Sequence, residues 1–426
     1  MLRHDAEPRS PDFHFDPAES APPLKPPGSA NGLCEALRAF SFNGAATIET
    51  TDAGLRYFVN EFWTAGQRQG HSLHEVSDRA CFKPQLPAFF IARLTQPGDT
   101  VYDPFSGRGT TAVQAALMGR RPATNDINPL SRMLVRPRLD PPALTAVQAR
   151  LAALDLTTGP AVADDDPLLV FYHPATLRQI GRLRDYLLAR QASGLIDPVD
   201  DWIRMVAINR LTGHSPGFFS VYTLPPNQAV SIGSQRQINA TRGQTPPPRD
   251  IAALILKKSR SLLCDGTTGP HPPALLMTGP ADATPDLPDN SVDLLVTSPP
   301  FLDVVDYEGD NWLRCWFAGI DPATVRIDRH KGIAQWEGFV RRSFTEFARV
   351  LRPGALAAFE VGEVRGGKIL LERHVIVAIA GLPFDLLGVM VNQQAFTKTA
   401  NCWGVNNNNA GTNTNRIVLA RRRGGA

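Results

Sequence analysis

Beyond residue 100 the apolar positions fall into short blocks that switch between two periods. Residues 100–105 (TVYDPF) form a brief apolar run of strand type, and 110–120 (TTAVQAALMGR) repeat apolar positions at helical spacing. Residues 122–128 (PATNDIN) suggest a second strand, followed by the helical stretch 128–135 (NPLSRMLV). Strand and helix in alternation imply parallel strands with helices on both faces. The alternation lapses over residues 140–265, where helical stretches at 144–156, 176–191 and 201–211 precede and flank a long irregular segment, 213–250. It resumes with strands at 273–281 and 291–297 and a helix at 339–354 that closes on the stop signal Leu-Arg-Pro-Gly. A strand at 355–364, a helix at 372–382 and strands at 384–392 and 415–422 complete it. Residues 33–97 read as mainly helical. The expected fold class is doubly wound α/β: a mostly parallel sheet of about seven strands, with a largely helical and irregular insertion between its halves.

Composition narrows the class. Apolar residues make up 43% of the 426, ample for a core and contrary to global disorder. No apolar run nears the roughly 20 residues of a membrane span, and the first 20 residues lack a signal core. Five cysteines stand apart with no CxxC pair, which supports neither a disulfide framework nor a metal site. A reduced, cytoplasmic protein without a membrane partner is expected. Residues 1–32, rich in proline, read as a mobile arm. The net charge of +3 says little, but between 204 and 260 eight cations face only Asp250. Such a stretch suits a phosphate backbone or a solvated surface.

Candidate chemistry begins at DPFSGRGTT, where Asp103, Gly107 and Gly109 sit between a strand and a helix. Glycines there let a ligand approach the backbone. A P-loop would need a lysine where Gly109 precedes Thr110, whereas a dinucleotide fingerprint admits the alanine found at Ala112 and stays open. S-adenosyl-L-methionine instead needs an acid near the turn and a carboxylate ending the second strand. Asp103 and Asp126 stand at those places. A plain capped turn stays open as an alternative.

The second feature is TSPPF, residues 297–301, which ends a strand in two prolines and a ring. DPFSGRGTT followed later by TSPPF resembles the DNA amino-methyltransferases, which methylate cytosine N4 or adenine N6. The resemblance implies a seven-stranded, Rossmann-like methyltransferase sheet and S-adenosyl-L-methionine as cofactor. It implies cofactor contacts at Lys83, Asp103, Pro104, Phe105, Gly107, Gly109, Thr110, Asp126, Asn128 and Asp282, and a base-holding corner at Ser298, Pro299, Pro300 and Phe301. It implies domain bounds of 33–140 for the cofactor half, 141–265 for an inserted target-recognition region and 266–426 for the catalytic half. Double-stranded DNA is then the partner, with a cognate restriction endonuclease as a further one.

The corner has a physical rationale. An exocyclic amine is a poor nucleophile because its lone pair is delocalised into the ring. Acceptors at Ser298 and the Pro299 carbonyl can localise that pair and aim it at a methyl group. Phe301 offers a ring to a base taken out of the duplex. No cysteine follows a proline, so covalent attack at cytosine carbon-5 is unsupported. In the resembling family serine at the corner goes mostly with cytosine N4; adenine N6, an RNA substrate or a silent DNA-binding module are the alternatives. In the insertion, Gln235, Arg236, Gln237, Asn239 and Arg242 have base-edge and phosphate chemistry, and Phe218, Phe219 and Tyr222 could stack. Asp303, Asp306, Tyr307 and Asn311 could shape the base pocket, whereas Trp312 and Trp316 suggest core packing.

Overall fold

The computed structural model describes residues 30–63, 70–77, 81–223, 229–302, 307–325, 330, 332–364, 368–393 and 415–424. Most of the proline-rich arm, Asp303, Asp306, the Tyr307 side chain and the asparagine-rich stretch 406–414 lie outside them.

Among the described residues nine strands form one sheet: β1 (Ile48–Asp52), β2 (Leu55–Asn60), β3 (Thr100–Asp103), β4 (Arg121–Thr124), β5 (Leu275–Leu276), β6 (Val292–Thr297), β7 (Leu351–Val361), β8 (Phe384–Asn392) and β9 (Asn415–Arg422). Their spatial order is β1-β2-β8-β9-β7-β6-β3-β4-β5. The five strands from β7 to β5 are mutually parallel, β9 runs antiparallel to both neighbours, and β8 pairs with β2 in parallel. The chain therefore builds outward from β3 through β4 to β5, then returns and builds the other way from β6. The strand order reverses between β3 and β6, where an open α/β sheet leaves a crevice at its carboxyl ends.

The sheet is covered on both faces, so its central strands are buried continuously rather than at alternate residues: Thr100–Asp103 is buried throughout. On one face α11 (Ile333–Val350) and α12 (Leu371–Ile379) pack Trp336, Phe344 and Phe347 against Phe359 and Val418. On the other, α1 (Ala30–Ala39) and α2 (Gln85–Leu94) bring Leu37, Phe40, Phe89 and Phe90 onto Val296 and Ile417. Truncating one of these buried rings to alanine costs about 3–5 kcal/mol.

A third cluster belongs to a helical lobe. It joins α3 (Thr110–Leu117), α4 (Leu130–Leu139) and α10 (Tyr307–Ala318) to helices of the insertion, α5 (Leu144–Ala153), α6 (Pro174–Ala192), α7 (Pro198–Ile208), α8 (Ile232–Arg242) and α9 (Ile251–Leu262). Trp312 and Trp316 pack against this cluster as expected.

Two expectations need correction. Residues 41–60 are not helical; they hold the β1–β2 hairpin and a short strand pair before it, turned at Asn43-Gly44 and Ala53-Gly54 with positive φ at all four residues. Asn-Gly is the strongest short hairpin signal and accounts for the first pair, overriding weak helical periodicity there. Residues 213–250 are not wholly irregular either, because α8 lies within them. Ser231 caps its first turn by accepting from the Ser234 N–H at 3.2 Å, and Gly243 ends it in the left-handed region.

Candidate active site

The two sequence features meet at the switch point. β3 pairs with β6 in register Tyr102↔Leu295, so both strands end side by side. Asp103 closes the junction: its carboxylate accepts from the Thr297 hydroxyl at 2.5 Å and from the Phe105 N–H at 3.2 Å. Burial, its largest influence, pushes the Asp103 carboxyl up to about 7, against the pull of those hydrogen bonds. Asp103 is 1% exposed and is not among the residues lining the adjacent cavity. Its position makes it a fastener between the two strand ends.

That cavity, about 430 Å³, opens over the crevice. The glycine turn contributes Pro104, Phe105, Ser106, Gly107 and Thr110; the end of β4 contributes Asp126, Ile127 and Asn128. The loop before β6 adds Gly279–Asp282, the corner adds Ser298 and Pro300, and α10 and α11 add Asn311, Phe339 and Arg342. Asp126 shapes the rim by accepting from the Gly107 N–H at 2.7 Å and the Asn128 N–H at 2.9 Å. Asp282 pairs with Arg342 at 2.9 Å. Phe105 and Phe339 lie 5.5 Å apart between ring centres, giving the cavity an aromatic wall.

Several expected residues take supporting positions. Gly109, at φ +77°, begins α3, and an added Cβ would run into the Val135 side chain. The residue is therefore required by packing rather than by a ligand. Lys83 lies just before α2, partly buried with its pKa lowered, first by desolvation and then by Arg108; its neighbours Cys81 and Phe82 line the cavity instead. Pro299 is buried, and Phe301 is partly buried against the α11 cluster rather than in the lining. The Trp336 indole donates to the Pro300 carbonyl at 2.9 Å and braces the corner from behind.

Ser106, Phe339 and Arg342 line the site yet escaped the sequence reading. Ser106 had a legible signal, being inside the glycine turn. Phe339 and Arg342 had none, since α11 reaches the cavity only through tertiary packing.

The insertion departs most from expectation. Gln235 is fully buried: its amide donates to the Tyr222 carbonyl at 3.0 Å and to Asn239 Oδ1 at 2.8 Å, while Asn239 donates to the Val170 carbonyl at 2.7 Å. The amide nitrogens of both side chains are spent on holding α8, while Gln235 Oε1 has no hydrogen-bond partner among the described residues. Phe218 and Phe219 are buried and cannot wedge into a duplex. Arg236, Gln237 and Arg242 remain exposed, with Arg242 stacked 3.8 Å over Tyr222. The basic stretch is likewise divided: Arg204 pairs with Asp201 and Lys258 with Glu75, whereas Lys257 and Arg260 are exposed.

The DNA methylase family matches residues 52–131. That segment belongs to the DNA methylase family. The DNA methylase segment carries β2, α2, β3, the glycine turn, α3 and β4, which is the half of the cavity running from Pro104 to Asn128; the Ser298 corner lies beyond it. A type II methyltransferase from Methanocaldococcus jannaschii, M.MjaII, is 36% identical over 69 residues, spanning 16% of this chain and 13% of that relative. A putative DNA modification methylase from Thermus thermophilus is 24% identical over 33% of this chain and 48% of its own, with a TM-score of 0.20. An rRNA methyltransferase from Streptomyces viridochromogenes is 14% identical, with 83% and 90% covered and a TM-score of 0.30.

The residues of this segment fit S-adenosylmethionine, the cofactor of methyl transfer. Ser106 is 5% exposed, lines the cavity, and its Oγ has no partner among the described residues. A buried hydroxyl left unpaired is a place for a polar ligand group. Asp126 offers a carboxylate to hydroxyl donors, and the aromatic wall offers a face to a heterocycle.

Proposed function

We propose that the protein methylates an exocyclic amine in double-stranded DNA, and that the amine is cytosine N4. One observation carries the reading: the glycine turn of the DNA methylase segment and the Ser298 corner, far apart in sequence, line one cavity. S-adenosylmethionine, held by Ser106, Asp126 and the Phe105–Phe339 wall, would supply an electrophilic methyl group. Ser298 and the Pro299 carbonyl accept the two amine N–H bonds, which draws the nitrogen lone pair out of the ring and directs it. Phe301, packed against the α11 cluster, backs the corner that receives the extruded base. A neutral serine at Ser298 favours cytosine N4 over adenine N6 by the family resemblance. The insertion, residues 141–265, reads the target, with Arg236 and Arg242 on phosphates.

The test is mass spectrometry of nucleosides from duplex DNA incubated with the protein and S-adenosylmethionine. N4-methyldeoxycytidine is expected. N6-methyldeoxyadenosine would keep the enzyme and change the base, and no methylated deoxynucleoside across genomic DNAs of varied sequence would overturn the reading.

A further inference from the structure

A buried acid stands directly behind the corner. Glu360 lies on β7, whose register with β6 pairs Phe359 with Thr297, so Glu360 and Ser298 are the next residues on adjacent parallel strands. Glu360 is 5% exposed. Its side chain hydrogen-bonds to Ser298 on one side, and on the other it accepts from Asn415 Nδ2 at 2.7 Å across β9. Burial is the largest influence on this carboxyl and raises its pKa, while the two hydrogen bonds oppose the rise.

We propose that Glu360 is a positioning residue for methyl transfer: its carboxylate accepts the Ser298 hydroxyl proton, so that the lone pairs of Ser298 Oγ, and not its proton, face the amine of the target base. The inference rests on the function proposed above and deepens it. A serine hydroxyl carries one donor and two acceptor sites, and its hydrogen rotates to suit its neighbours. Left alone in the corner it could present either. The hydrogen bonds from Ser298 and Asn415 favour the ionised form against the burial that raises the pKa; an ionised carboxylate only accepts, so in that form the proton shared by Glu360 and Ser298 comes from the serine. Asn415 holds the carboxylate from the opposite strand, which keeps Glu360 from turning away. In that form the charge behind Oγ also polarises the hydroxyl and strengthens it as an acceptor. The corner so arranged suits an amine, which donates, and disfavours a ring carbonyl at the same place.

The experiment is a double-mutant cycle on the full chain, with single-turnover rates, DNA KM and cofactor affinity measured for Glu360→Gln, Ser298→Ala and the pair. Glu360→Gln is expected to lower kcat by about 10- to 100-fold, with KM and cofactor affinity within about twofold. In the Ser298→Ala background the same change is expected to do nothing further, since there is no hydroxyl left to orient. A merely structural acid would lower kcat in both backgrounds by the same factor, and that result, or an unaltered kcat in Glu360→Gln, overturns the positioning role while leaving the methyltransferase reading intact. If Glu360→Gln does not fold, Asn415→Ser replaces it in the cycle, with a severalfold loss expected only when Ser298 is present. A wild-type protein that methylates no deoxynucleoside would remove the reading beneath the inference, and the inference with it.

Discussion

At the switch point, polar side chains end their strands and face open space: Asp126 and Ser298 line the cavity, and Ser106 Oγ waits there without a partner among the described residues. In α8 of the insertion the same kind of side chain turns inward, with Gln235 fully buried and Asn239 tied to the Val170 carbonyl. The difference lies in what supports each backbone. The strand ends are fixed by pairing with neighbouring strands, so the side chains just beyond them can line a cavity without being needed to hold their element in place. The helix α8 has few apolar anchors in IGSQRQINATR, and it is attached to its surroundings by amide hydrogen bonds. Residue chemistry alone does not distinguish a reader of bases from a fastener of helices; the packing of the element does.

The comparison is most open to breakage at Asp126. Asp126→Ala should weaken S-adenosylmethionine binding by about 1,000-fold, because a charged acceptor of several hydrogen bonds is lost at about 1.5–3 kcal/mol each. Calorimetric titration checks this, and a change below about threefold would mean that the strand-end carboxylate is structural after all.

Asp103 provides the next largest effect, through pH. Its folded carboxyl titrates at about 7 against an ordinary 3.8. Between those values the native state keeps a proton that the unfolded state has released, so the contribution of this group to stability falls as pH rises through that window. Asp103→Asn lacks the titration. Its stability relative to the parent should therefore increase from pH 5 to pH 8, by on the order of 2–3 kcal/mol at about 1.4 kcal/mol per pKa unit. Urea unfolding at the two pH values reads this directly; parallel curves would show that Asp103 is ionised in the fold throughout.

In the insertion, Gln235→Leu should destabilise by about 1–3 kcal/mol, since the Tyr222 carbonyl loses one of its donors and Asn239 its neighbour. The salt dependence of DNA binding should not change. Arg236→Ala and Arg242→Ala should do the reverse: stability within about 0.5 kcal/mol, and a log–log salt slope shallower by about 1 for each phosphate contact removed. If Gln235→Leu alters the slope and the arginine variants do not, the inward and outward assignments on α8 are exchanged.

Legibility along the chain follows the same division. The glycine turn and TSPPF were readable because each is a local solution to a local demand: a turn that lets a ligand near the backbone, and a stiff corner without a competing N–H. The strand pair at 41–46 carried a local signal in Asn43-Gly44 that the helical reading of 33–97 passed over, whereas the β1–β2 hairpin turns at Ala53-Gly54. Arg342 at the rim and Glu360 behind the corner were not readable. Nothing beside them in sequence marks either as part of a site; α11 reaches the cavity only by packing, and Glu360 acquires its neighbours only when β6 and β9 close around β7.

What the chain determined by itself was therefore the succession of strands and helices, the split into two blocks, and the two turns whose residue types suit a cofactor and an amine. Backbone sterics and hydrophobic period act over a few residues, and they need no partner from elsewhere in the chain. The tertiary structure decided which of those residues face the cavity, that Asp103 fastens the strands instead of lining the site, and that Gln235 is buried. Those outcomes depend on register and burial between distant segments, 194 residues apart at the Asp103–Thr297 bond, where the cost of burying polar groups without partners weighs on each arrangement.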